Sequence, residues 1–414
     1  MKKIYFIFPF RGVGGVPVVF SQLANHISDN KNFKCFLVDY KDGYMATNHI
    51  SENVTFIEYQ DVANFVTLTD DCIAVFQSIT PWSMYRGLKF SKNTKIFFWN
   101  CHPYNLIPVI PGFKKFMQSN YLFCKIMIRL PLIIFTLKVK KLINLLHNHD
   151  AIAFMDQTNY ETTTKLLNLK IASPKYISIP YMSDEVTDKK IQQLIKNELK
   201  IVWIGRIVSF KYYSLIHFLT NLNAIQSLLN LSISIKIIGS GDYKYKLINE
   251  SKIFKNLKIE FINEINRNEA DNYLKKNANL IIAMGTSALQ GASLSIPTIL
   301  LDIFYKNLPK NYQYCWLHNK DGKCLGEIYL ESYPKSKKNN LYNLIIELLD
   351  SYSEISKKSY EYYKSYHDVK IVSKKFIAKI LNSKCTYDTL KNEGIFSKSP
   401  VYSLYYFIRS KMKL

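Results

Sequence analysis

IYFIFPFRGVGGVPVVFSQLANHISDNKNFKCFLVDY, residues 4–40, is the stretch whose reading decides the fold. It opens on the apolar run IYFIFPF (4–10), passes the loop Gly12-Val13-Gly14-Gly15, and closes on CFLVDY (35–40). Between the runs, Phe20, Leu23, Ala24 and Ile27 fall at i, i+3, i+4 and i+7, one apolar face of a helix. Strand, glycine turn, helix and strand make a βαβ unit, which sets its two strands parallel. Neither run alternates apolar with polar residues, as expected of strands covered on both faces.

Outward from this unit the pattern repeats. VTFIEY (54–59), CIAVF (72–76), KIFFW (95–99), AIAFM (151–155) and KYISIP (175–180) read as further strands of one sheet. The polar, charged segment 181–199 reads as a connection. A second series follows: KIVWIG (200–205), a helix over roughly 212–229, SISIKIIG (232–239), KIEFI (258–262), LIIAM (280–284) and PTILL (297–301). Two such series predict an α/β protein of two Rossmann-like domains facing each other across a cleft. The expected divisions are a first domain over 1–185 with a basic amphipathic insert at 113–146, and a second domain over 200–382. The second includes long helical patterns from 338, and a basic, aromatic tail occupies 383–414.

Composition narrows the function. With 414 residues, 48% of them hydrophobic and 14% aromatic, the chain can pack two cores, and global disorder is excluded. The balance of 55 Lys and Arg against 32 Asp and Glu, net +23, calls for a polyanionic partner: nucleic acid, an anionic membrane face or a phosphorylated substrate. No nucleic-acid-binding module is recognisable, and doubly wound halves favour a small nucleotide ligand, so nucleic acid is not expected. The seven cysteines are scattered without a Cys-x-x-Cys pair and read as reduced thiols of a cytosolic protein. Cys315, His318 and Cys324 are too loosely spaced to read as a zinc site. The opening Met-Lys-Lys and apolar run imitate a signal peptide, but Arg11 and the glycine loop replace a cleavage site, and a buried strand is expected instead.

Four loops carry candidate chemistry. Gly14 and Gly15 stand between a strand and a helix, where backbone amides can approach an anion or a sugar closely. Pro17 replaces the third glycine of a dinucleotide fingerprint, although Asp39 ends the second strand where a ribose-binding acid would sit. A plain tight turn is the alternative. Gly205-Arg206, with Lys211 five residues on, places two cations at the carboxyl end of a parallel strand, suited to a diphosphate or else to a solvated basic turn. Gly239-Ser240-Gly241 ends the next strand in the same way. In Met284-Gly285-Thr286-Ser287-Ala288-Leu289-Gln290 a strand gives way to a helix whose first amides are free for a ligand. Ser287-x-x-Gln290 also reads as an ordinary capping box.

In their order along most of the chain, these four loops resemble the glycosyltransferase family 4 (group 1) enzymes that build bacterial surface polysaccharides such as lipopolysaccharide and capsule. The resemblance implies the GT-B fold and retaining transfer from a nucleoside diphosphate sugar to a lipid-linked or growing glycan, with no metal or other cofactor. It implies that Arg206 and Lys211 hold the donor diphosphate, with Gly239, Gly241, Gly285, Thr286 and Ser287 completing the donor site. Gly14 and Gly15 become an acceptor or phosphate loop. His102, in Trp99-Asn100-Cys101-His102-Pro103, falls where the family often has an active-site histidine near the donor sugar; a structural histidine is the alternative. The family's Glu-x7-Glu pair falls on Ile282 and Gln290, so one acid is an apolar residue and the other an amide that still bonds hydroxyls.

From Phe113 to Leu146 there are seven Lys or Arg and no acid, interleaved with MIRLPLIIFTL. That pattern suits helices lying in the headgroup region of an anionic membrane, or a buried hairpin with a basic edge. The expectation is a peripheral enzyme at the inner face of the plasma membrane. Two other classes stay open: a GT-B scaffold that binds glycan or membrane without turnover, which Ile282 and Gln290 favour, and a sugar-nucleotide epimerase on the same fold.

Overall fold

The computed structural model of the chain describes residues 1–12, 14–47, 51–69, 71–110, 112–183, 198–320, 323–328 and 339–396. Most of the expected connection and the tail beyond 396 lie outside the described residues. The chain divides into two compact units, Met1–Pro180 together with the segment from Val369 on, and Tyr181–Asp368.

The first unit begins with β1 (Lys2–Ile7), α1 (Gly15–Ser28), β2 (Phe33–Asp39), α2 (Tyr44–Thr47) and β3 (Val54–Glu58). β4 (Val66–Leu68), β5 (Cys72–Gln77), β6 (Leu88–Phe90) and β7 (Lys95–Asn100) follow. Then come α3 (Lys114–Ser119), α4 (Tyr121–Arg129), α5 (Ile133–Asn148), β8 (Ile152–Phe154) and α6 (Gln157–Leu167). Its six-stranded sheet has the order β3-β2-β1-β5-β7-β8, and every neighbouring pair is parallel. The order reverses between β1 and β5, and ligands of open α/β sheets bind outside the carboxyl ends at such a switch point. β4 and β6 pair separately as a short parallel ribbon that the sequence reading missed. KYISIP, expected as a strand, contributes a single bridge from Tyr176 to Phe154. Pro174 and Pro180 bracket it, and proline cannot donate to a ladder.

The second unit holds β9 (Glu198–Ile204), α7 (Ser209–Leu229), β10 (Ser232–Ile238), α8 (Lys244–Ser251), β11 (Lys258–Ile262) and α9 (Arg267–Asn277). β12 (Leu280–Ala283), α10 (Thr286–Ser293), β13 (Thr298–Leu300), β14 (Cys315–Trp316) and α11 (Leu341–Tyr366) complete it. The sheet order β11-β10-β9-β12-β13-β14 repeats the first unit's, with a switch point between β9 and β12. Only β14 runs antiparallel, a two-residue edge too short to read from sequence. The core packs Trp203, Phe218, Ile237, Ile282, Tyr314 and Trp316 between sheet and helices.

Beyond α11, α12 (Val369–Leu381) and α13 (Tyr387–Asn392) return to the first unit. The boundary expected at 382 is therefore corrected to 368. Phe376 of α12 lies 5.7 Å from both Phe6 and Trp99, ring centre to ring centre, so α12 covers the first sheet. The start of the expected tail is docked as well: Ile96 N–H donates to the Cys385 carbonyl, and Tyr387 stacks on Phe90 at 4.8 Å.

Candidate functional site

In the second unit, the loops after β9 and β10 run against each other backbone to backbone. The Ile207 amide donates to the Ser240 carbonyl at 2.7 Å, and the Tyr243 amide to the Ile207 carbonyl at 3.1 Å. A Cβ on Gly239 would overlap the Gly205 carbonyl, and one on Gly241 the Ile207 carbonyl; both residues hold φ near +140°, at 140 and 142. Only glycine meets both demands. The tight pairing lets β9 end flush, so that its following residues sit at the switch point beside β12.

Three predicted site elements converge there. Lys211, on the first turn of α7, places Nζ 3.3 Å from where a Gly205 Cβ would lie, and Ser287 Oγ is 3.5 Å from the same point. Ammonium and hydroxyl thus share one spot above the Gly205 backbone. Gly285, at φ 66 and ψ −144, is the N-cap of α10, and no side chain caps the helix. A Cβ there would meet nothing within 4 Å, so the space beside Gly285 at the start of α10 is open. Thr286 and Ser287 are half-exposed on that turn. Free amides and the positive end of the helix dipole favour an anion at this place.

Electrostatics adds to this. Burial of the ammonium, and secondarily the Arg206 guanidinium, depress Lys211 to about 8. Two cations held close repel each other, and an anion such as a diphosphate placed between them relieves that repulsion. Arg206 itself is exposed.

Ile282 and Gln290 are placed differently. Ile282 is fully buried in β12, opposite Trp203 in the register, and its side chain is part of the core. An acid at that position would enter apolar packing and not a ligand site. Gln290 is 8% exposed, and its Nε2 donates to Asp271 Oδ1 on α9 at 2.7 Å. The capping-box reading is corrected, since Gly285 is the N-cap and Gln290 turns to Asp271. Asp271 itself had no local signal in the sequence, lying on a helix of its own 19 residues earlier.

In the first unit, Gly14 is the N-cap of α1 without a side-chain cap, and Gly15 opens the helix with nothing within 4 Å of a Cβ. Val13 lies outside the described residues. Asp39 is not positioned for a ribose: it is fully buried and accepts from the amides of Phe10 at 2.7 Å, Tyr40 at 2.8 Å and Met45 at 3.0 Å. Its carboxylate pins the loop leading to Gly14, while burial raises its pKa against those bonds. His102 follows β7 at the carboxyl edge and is half-buried. Its Nδ1 accepts the Tyr104 amide at 3.2 Å. Desolvation, and then Lys114, push it down to about 4, so at neutral pH the ring is uncharged. A neutral ring that accepts at Nδ1 carries its proton on Nε2, and His102 therefore presents a hydrogen-bond donor.

Cys315, His318 and Cys324 do not form a metal-holding group, and none is found among the described residues. No helix among them is long and apolar enough to cross a membrane.

No family model and no curated protein matches the chain. Solved structures do. The chain is similar to WaaG, a glycosyltransferase involved in lipopolysaccharide biosynthesis, at 9% identity and TM-score 0.52, covering 92% of this chain and 100% of that one. The lipopolysaccharide outer core galactosyltransferase WaaB matches at 12% identity and TM-score 0.50, over 92% and 99% of the two chains. Trehalose-6-phosphate synthase matches at 9% identity and TM-score 0.53, over 92% and 99%. At such identities the likeness establishes the fold, which is GT-B.

Proposed function

We propose that the chain is a glycosyltransferase that moves a sugar from a nucleoside diphosphate sugar to a lipid-linked or growing surface glycan. The observation that carries this reading is the convergence of Lys211 Nζ and Ser287 Oγ over Gly205, beside the uncapped start of α10. In it, Lys211 and Arg206 meet the diphosphate, and the amides of Thr286 and Ser287 bond its oxygens. As the sugar–phosphate bond breaks, negative charge grows on the leaving phosphate, and these same groups stabilise it more than the ground state. Transfer is retaining and metal-independent in this reading. The leaving phosphate oxygen takes the acceptor's proton, so no protein base is required. His102, neutral and protonated on Nε2, donates to a hydroxyl of the donor sugar. Gln290 meets the nucleotide ribose through whatever acceptor capacity Asp271 leaves it. The acceptor is met at the inner face of the plasma membrane.

A screen of UDP-, GDP- and dTDP-sugars for transfer or hydrolysis by the purified chain tests the proposal. Turnover with one nucleotide series supports it; nucleotide binding without turnover on any acceptor sinks it. That second outcome would favour a GT-B scaffold that binds without reacting, a reading supported by the burial of Ile282 where the resemblance places an acid.

A further inference from the structure

The helices inserted between β7 and β8 carry a surface that their own packing leaves unused. α4 and α5 form a hairpin whose inner side is buried through Cys124, Ile128, Leu132, Phe135, Val139 and Leu142. The hairpin is held in shape from three directions. Thr136 Oγ1 donates to the Ile128 carbonyl at 2.7 Å, joining α5 to the end of α4. Phe135 meets the Trp82 ring edge-on at 5.1 Å, and Lys141 bonds Glu393 at the end of α13 at 3.0 Å. Phe116 of α3 packs edge-on against Phe123 of α4 at 4.8 Å.

The outer side is apolar too. Among the described residues, eight of the 17 large apolar side chains that stand exposed fall between Phe113 and Leu137, so the surface is concentrated and not scattered. They gather at the corner where α4 hands over to α5: Ile126 is 48% exposed, Leu130 69%, Ile134 55% and Leu137 56%, around an exposed Pro131. Lys125, Arg129 and Lys138 stand among them, and no acid occurs from 113 to 146.

Charge selects the occupant. A second copy of the chain, docked face to face, would set each cation of this surface against its like. A neutral protein groove would offer Lys125 and Arg129 no counter-charge. An anionic bilayer satisfies both parts, taking apolar tips below the headgroups while lysine and arginine reach the phosphates. We infer that the α4–α5 corner is a preformed wedge that docks the first unit on anionic lipid, with Leu130 and Ile134 as its inserting tips. This deepens the membrane side of the proposed function and stands on surface chemistry alone, independent of sugar transfer.

Sedimentation with vesicles tests it, using phosphatidylcholine alone and phosphatidylcholine with phosphatidylglycerol. The wedge predicts binding to the anionic vesicles at least about tenfold tighter than to neutral ones, weakened by raised salt. Leu130→Ser with Ile134→Ser lowers binding about tenfold, and Lys125→Glu with Arg129→Glu removes the preference for anionic lipid. Both variants are to melt within a few degrees of the parent, since Arg129, Leu130 and Ile134 are exposed and Lys125 is only half-buried. Helix content by circular dichroism stays constant on binding, because the hairpin is already formed. Three results overturn the inference: equal binding to neutral vesicles, binding untouched by both variants (as if another segment, such as residues 397–414, were the anchor), or self-association in place of lipid binding. Each can occur with sugar transfer intact, so failure here is distinguishable from failure of the proposed function.

Discussion

The two sheets share one strand order, and each has glycine in the loop after its first strand, yet their carboxyl edges are chemically unlike. The second unit's edge gathers cations and bare amides: Lys211 and Ser287 over Gly205, with Arg206 beside them and α10 uncapped. On the first unit's edge two groups that could have been charged are neutralised or engaged. His102 is held uncharged, and Asp39 is buried under three backbone amides. One backbone design therefore serves two chemistries, with side chains at three or four positions deciding which. In the proposed function the second edge takes the diphosphate and the first meets neutral hydroxyls.

The comparison can be broken most severely at Ile282. Ile282→Glu places a carboxylate in the core of the second unit and is expected to cost more than about 4 kcal/mol of stability. A urea melt checks this. If the variant folded normally and gained transfer, the position would face the ligand after all. Next in size is Lys211→Ala, expected to lower kcat/KM for the donor about 100-fold, roughly 2.8 kcal/mol at about 1.4 kcal/mol per decade. Gln290→Ala, on α10, is expected to have a smaller effect, because Asp271 already holds its amide.

For the first unit, His102→Ala is expected to lower turnover about tenfold, the scale of one lost hydrogen bond to the reacting sugar. Because its pKa lies near 4, turnover should show no histidine limb between pH 6 and 8. The smallest effect is the pH limb of Lys211. The group is protonated below its value of about 8 and loses its charge above it. Donor kcat/KM should therefore fall about fourfold from pH 7 to about pH 8.5, following the shrinking protonated fraction. Lys211→Ala should abolish that limb, and a limb that persists would assign it to another group.

Much of this was legible in the chain. Apolar runs of five or six residues between turn signals located the principal strands, because strands covered on both faces need no alternation. The glycines at 205, 239, 241 and 285 marked the edge because all four hold positive φ, and at 239 and 241 backbone crowding also leaves room for nothing larger. What stayed hidden depends on neighbours remote in sequence. The apolar face of α12 resembles that of any amphipathic helix, and nothing local says that Phe376 covers Phe6 and not the second sheet. Gln290 read as a capping residue because Asp271, its partner, comes from another helix. Asp39 looked like a ligand-binding acid at the end of a strand until its three amide donors were located.

Calorimetric titration of UDP, GDP and dTDP, and of their monophosphates, into the chain and into Lys211→Ala tests the central claim most directly. The account predicts that one nucleoside diphosphate binds the parent at least tenfold tighter than its monophosphate, and that Lys211→Ala erases this difference. Equal affinity for mono- and diphosphate in the parent, or an unchanged preference in the variant, would contradict it.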